Sequence, residues 1–137
     1  MLSQSHLAFL ARRRVGHLAT ADREGVPHLV PVCFAADDET IYTPIDEKPK
    51  SGRALRRLTN IRNNPRVAFL VDRYEEDWSR LGWLRIDGSA ELLSEGPEFE
   101  KAVRLLVARY PQYGAMRLSP VIAIRIGGAH SWGNLDS

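Results

Sequence analysis

Residues 15–36, VGHLATADREGVPHLVPVCFAA, constrain the fold more than any other part of the chain. Two apolar runs of strand length flank Asp22-Arg23-Glu24-Gly25, a turn in which Gly25 is available for positive φ, so the segment predicts a β-hairpin. In the return strand Pro27 and Pro31 each lack an N–H. A central strand does not tolerate two missing donors, so this strand is expected at a sheet edge or with a break, its backbone acceptors in part free.

The rest of the chain continues the pattern. Ser3 or Ser5 caps a first helix in which Leu7, Leu10 and Ala11 recur at helical spacing, and Arg12 to Arg14 close its last turn, where cations suit the dipole. A third strand at 40–45 ends at Pro44 and the loop Asp46-Glu47-Lys48-Pro49-Lys50. Ser51 is an N-cap for a second helix, with Leu55, Leu58 and Ile61 toward the core and Arg53, Arg56, Arg57 and Arg62 elsewhere on its surface. Asn63-Asn64-Pro65 stops it, because proline disfavours helical geometry in the residue before it. Strands follow at 66–74 and 81–93, the latter with Gly88 as a bulge or bend. Gly96-Pro97-Glu98 starts a helix with the apolar face Phe99, Ala102, Val103, Leu106 and Tyr110, and 121–126 is the last full strand before a tail carrying Trp132. About six strands joined mostly by short turns, with few helices between them, predict an α+β, mainly antiparallel sheet that closes into a barrel capped by helices. A chain of 137 residues is expected to form one domain over 1–137.

The charge pattern points to a ligand. Between Lys48 and Arg66 stand seven Lys or Arg residues and no Asp or Glu, while the other 118 residues carry a net −5. An island of cations at a strand-to-helix junction suits an anion, since helix N-termini present unpaired N–H groups and a positive dipole end. The chain as a whole is only +2, and it carries no helix-turn-helix, zinc-finger or single-strand aromatic motif. Nucleic acid is therefore not the expected partner. No apolar run approaches the roughly 20 residues that span a bilayer, and the first basic residues follow a short apolar run rather than precede it, the reverse of a secretory signal. A single cysteine, Cys33, fits a reducing cytoplasm. It has no basic or helix-terminal neighbour in sequence that would activate it, so it reads as a small core residue. His17 and His28 lie on facing strands of the hairpin without the further ligands a metal needs, and no GxSxG elbow supports a serine hydrolase.

Taken in order, VGHLAT, DREG, PHLVPVCF, IYTPIDEKPK, LRRLTNIRNNPRV and LRIDGSAELL with Arg85, Gly88 and Ala90 resemble the pyridoxamine 5′-phosphate oxidase-like family of flavin-binding split β-barrels. The Asp46-x-Lys48-Pro49-Lys50 loop and the segment YEEDW look most like its small actinobacterial branch that uses the deazaflavin coenzyme F420. The resemblance implies a homodimer with the cofactor in an intersubunit cleft. It implies an F420-dependent oxidoreductase passing hydride to a small unsaturated acceptor; the alternatives are an FMN-dependent oxidase or reductase and a non-catalytic flavin carrier. The expected phosphate or tail contacts are Lys48, Lys50 and Ser51 with Arg53 or Arg57, while Arg56 and Arg62 read as solvated charge. Along the ring the resemblance places Thr43, Pro44 and Ile45, with backbone groups of Pro31, Val32 and Cys33 at its polar edge. Trp78 and Trp132 are candidates for stacking across the dimer. No general acid is identified.

Overall fold

The computed structural model describes residues 2–37, 39–45 and 55–136, so Lys48, Lys50, Ser51 and Arg53 lie outside the described residues. Helix α1 (Gln4–Arg12) is capped by Ser3, whose hydroxyl accepts from the His6 N–H while its own N–H donates to His6 Nδ1. Strands β1 (Gly16–Ala21) and β2 (Pro27–Val32) form the expected hairpin, in register from Gly16↔Val32 to Ala21↔Pro27. Its turn is fixed by Asp22 Oδ1, which accepts from the N–H groups of Glu24 and Val26, and by Gly25 at φ 84°. A two-residue strand β3 (Ala35–Ala36) follows, then β4 (Thr40–Pro44), α2 (Arg56–Asn63), β5 (Arg66–Arg73), β6 (Gly82–Leu93), α3 (Pro97–Arg109) and β7 (Val121–Gly133).

All seven strands lie in one antiparallel sheet of order β2-β1-β5-β6-β7-β4-β3. The two edge strands, β2 and β3, are consecutive in the chain. Val32 and Ala35 are three Cα steps apart, at about 3.8 Å each, so the edges stand within about 11 Å and the sheet must curl toward closure. The continuous return strand read from sequence is thus two short strands on opposite edges, bent at Cys33-Phe34. As its prolines require, β2 is an edge.

Inside the curl Phe9, Leu18, Phe34, Ile41, Phe69, Leu84, Ile86 and Ile124 are fully or almost fully buried. Phe34 meets Phe69 edge-on, with ring centroids 5.1 Å apart. Helix α3 covers the other face of β3, β4 and β7 through Ala102 and Leu106 against Tyr42, Val121 and Ala123. That second layer is why β4 is buried at every position. The Tyr42 hydroxyl donates to Glu98 (2.8 Å), and burial first, then Glu98, push its pKa up to about 12. Arg125 pairs with Glu98 and Glu91, and its hydrogen bond holds the Glu98 carboxyl below the ordinary range.

The last strand is longer than sequence predicts. Gly127 and Gly128 hide it from a propensity reading, but β7 continues beside β6 to Gly133 after a register shift at Asp87/Gly88. At Gly88 a Cβ would stand 2.4 Å from the Arg125 carbonyl oxygen, so only glycine allows this approach. Among the described residues no helix is long and apolar enough to cross a membrane.

The end of α3 holds the bend. Tyr110 Oη accepts from the Phe34 N–H (3.2 Å) and lies 3.0 Å from the carbonyl oxygens of Phe34 and Arg14, while Arg109 donates to the Phe34 and Arg13 carbonyls. Tyr110→Phe leaves a buried N–H without a partner, and the expected loss of stability is about 1–3 kcal/mol, read from the denaturant midpoint. An unchanged midpoint would show that the bend does not depend on this hydroxyl.

Candidate functional site

Two surfaces of the sheet carry chemistry, one on each side of edge strand β2. Alternation along β2 turns His28, Val30 and Val32 inward and Pro27, Leu29 and Pro31 outward.

On the inner side β2 meets α2 and the end of β4. Helix α2 is anchored by Leu58 and Ile61 in the core and by Asn60, 2% exposed, whose amide donates to Thr20 Oγ1 at 3.0 Å. Arg23 adds a hydrogen bond to Asn63 near the helix exit. Arg57 departs from the sequence reading of a helper on the helix surface: it is only 7% exposed, a buried charge in the first turn of α2. The sequence signal was present but ambiguous, because Arg57 precedes the core residue Leu58 and lies three before Asn60, on the flank of the apolar stripe. His28, opposite Thr20 in the hairpin register, has a buried Nδ1 with no hydrogen-bond partner among the described residues. Burial, followed by the charges of Arg56 and Arg57, lowers its pKa below 6.5. This edge therefore gathers cationic and donor groups at the start of a helix, a setting that favours an anion.

The residues expected along a cofactor ring fall into two sets. Val32, Thr43, Pro44 and Ile45 converge where β2 and β4 end, and Val32 and Ile45 share a core cluster with Leu58 of α2. The Thr43 hydroxyl donates to the Cys33 carbonyl (2.8 Å) and the Ile45 N–H to Pro120, so in one chain both groups are engaged internally. Pro31 is exposed at the edge. Trp78 and Trp132 stand elsewhere, 70% and 55% exposed. Trp78 follows the end of β5 remote from α2. Trp132 lies opposite Trp83 near the open end of the β6–β7 ribbon.

The outer side holds a groove that sequence reasoning did not find. His17, Ala19, Leu29, Leu70, Asp72 and Arg85 line an open, mainly apolar cavity of about 400 Å³. Beside it Asp87 lies 3.3 Å from both Arg85 Nε and His130 Nε2, and the Arg85 guanidinium lies 5.9 Å from the Trp83 ring centre. The period-two signal existed in His17, Ala19 and in Ala68, Leu70, Asp72, but RVAFLVDR is apolar enough to read as core on both faces. Since His17 and His28 sit on opposite faces, they share no metal, and among the described residues no group of three or more His, Cys, Asp or Glu could hold one.

Comparison with known proteins places this geometry in context. A sequence model described as pyridoxamine 5′-phosphate oxidase matches residues 2–133. The chain is 39% identical over 70 residues to a 5a,11a-dehydrotetracycline/5a,11a-dehydrooxytetracycline reductase of Streptomyces rimosus; the match covers 51% of this chain and 48% of that protein, so the chain spans about half the length of that relative. Its fold is similar to that of the conserved hypothetical protein Rv2991 of Mycobacterium tuberculosis, with a TM-score of 0.75 at 24% identity over 97% of this chain and 86% of the other. It is also similar to HutZ, a haem storage protein of Vibrio cholerae, with a TM-score of 0.71 at 17% identity over 90% and 89% of the two chains. At those identities the two structures speak for the fold alone.

The anchoring of α2 is testable without a ligand. Asn60→Ala removes the partner of buried Thr20 and is expected to cost about 1–3 kcal/mol in chemical denaturation, whereas Arg62→Ala, on the exposed side of the same helix, stays within about 0.5 kcal/mol. Equal effects from the two variants would remove Asn60 as the anchor.

Proposed function

Because the chain belongs to the pyridoxamine 5′-phosphate oxidase family, we propose that it is an oxidoreductase that holds reduced F420 with its phosphate-bearing tail on the cationic edge at the start of α2. The observation that carries this reading is that edge itself: Arg57 buried in the first turn, Arg56 beside it and His28 Nδ1 without a partner among the described residues, in the chain that also carries the sequence island of Lys48 and Lys50. Such a set fits a phosphate group. The bound coenzyme supplies the hydride chemistry. The chain's own residues bind and orient it: Lys48, Lys50, Ser51 and Arg53 with Arg57 hold the anionic tail, and the convergence of Val32 with Thr43, Pro44 and Ile45 provides an apolar wall for the ring. A relative named for reducing a 5a,11a-dehydro compound supports a small unsaturated acceptor as substrate.

The proposed assembly is a homodimer, and the outer groove supports it. A mainly apolar face that carries both an arginine, Arg85, and an aspartate, Asp72, suits pairing with a copy of itself. A second copy would also bring its exposed Trp78 or Trp132 toward the cofactor. A cytoplasmic location belongs to the same proposal. The second reading keeps the site and replaces F420 with FMN, whose phosphate suits the same cations; a carrier without turnover would use the same contacts.

Equilibrium binding of F420, FMN and haem to the protein separates these readings, with sedimentation reporting the dimer. The expected result is F420 binding in preference to FMN, weakened by about 1.5–3 kcal/mol in Lys50→Ala, the range for a hydrogen bond to a charged group. FMN binding without F420 would favour the second reading, and haem binding alone would overturn both. Unchanged affinity would remove Lys50 from the site.

A further inference from the structure

His28 is the one imidazole turned toward the cationic edge. It lies on the inner face of β2 opposite Thr20, whose hydroxyl is already occupied by the Asn60 amide. Its Nδ1 is buried and makes no hydrogen bond among the described residues. In the hairpin turn the Asp22 carboxylate is committed to the amides of Glu24 and Val26. From α2 the charged groups that act on the imidazole are Arg56 and Arg57, and from β1 it faces only the uncharged Thr20. Among the described residues no group completes that nitrogen, and an anion brought by a ligand gives it an acceptor once it is protonated.

We propose that His28 is a further anion-binding residue, taking up a proton as a phosphate-type group settles between it and the arginines at the start of α2. The proposal rests on the reading of a phosphate-bearing ligand given above. It deepens that reading by adding a contact and a pH dependence. In the free protein burial, followed by the two arginines, lowers the pKa of the imidazole. An anion placed beside it offsets those charges and raises its pKa, so binding and protonation favour each other. The sign follows: affinity rises as pH falls through the window between the free and bound pKa values, by at most about tenfold per pH unit for one proton.

Sulfate is the probe, because unlike a phosphate monoester it does not itself titrate between pH 5 and 8. The imidazole C–H resonances of His6, His17, His28 and His130 are followed by NMR as sulfate is added at a series of pH values, and FMN affinity is measured separately by its fluorescence. The expected result is a sulfate-dependent rise in the pKa of His28 alone, with sulfate affinity several-fold higher at pH 5.5 than at 7.5. In His28→Gln that dependence is flat. In His28→Lys, which keeps a cation at all these pH values, affinity is high and flat, an outcome that a merely structural histidine would not give. A wild-type profile as flat as His28→Gln, an unmoved His28 resonance at saturating sulfate, or no sulfate binding at all would each overturn the assignment. A His28 response to sulfate with no binding of FMN or F420 would support the anion contact while overturning the cofactor reading.

Discussion

The bend at Cys33-Phe34 is the constraint on which the rest of the structure depends. One stretch of chain supplies both edges of a seven-stranded sheet, so the sheet curls only as far as that bend lets it. The bend is held from outside the sheet, by Tyr110 and Arg109 at the end of α3 reaching the backbone of Phe34. It is also held from inside, by Phe34 against Phe69. These contacts enclose the main core and draw the end of β2 against the end of β4, where the Thr43 hydroxyl meets the Cys33 carbonyl. The position of the candidate site is therefore a consequence of closure rather than of any feature of the site itself.

Local chemistry made part of this legible in the sequence. Asp22 and Gly25 announce a turn whose hydrogen bonds are local, Pro27 and Pro31 announce an edge because a missing donor has the same meaning in any sheet, and Gly88 announces a distortion. What stayed hidden is non-local. The length of β7 is set by pairing with β6 across Gly127 and Gly128, residues with no strand preference of their own. The division of β2 from β3 needs the reach of α3 from far along the chain. The burial of Arg57 depends on how α2 rotates against β1, fixed by Asn60 and Thr20, which helical periodicity alone does not determine. The outer groove escaped because an apolar strand says nothing about which of its faces is covered.

The edge strand β2 links the two surfaces. Its inward residue His28 belongs to the cationic side and the next residue, Leu29, to the apolar groove, so the proposed cofactor site and the proposed dimer face lie back to back on this edge. In the proposed dimer the groove is covered by the second copy, and the tryptophans of that copy approach from the side the first chain leaves open. The fold alone does not choose a ligand, since a haem storage protein has a similar one; the proposed choice of a phosphorylated cofactor rests on the cations at the start of α2.

The central claim is thus a location, the anionic end of a cofactor at the meeting of β2, the end of β4 and α2. Hydrogen–deuterium exchange of the whole protein with and without the cofactor it binds tests that location most directly. The account predicts new protection in residues 27–32, 41–45 and 55–62, the strands and helix that form the edge. Protection confined to the outer faces of β5 and β6, with those three segments unchanged, would contradict it.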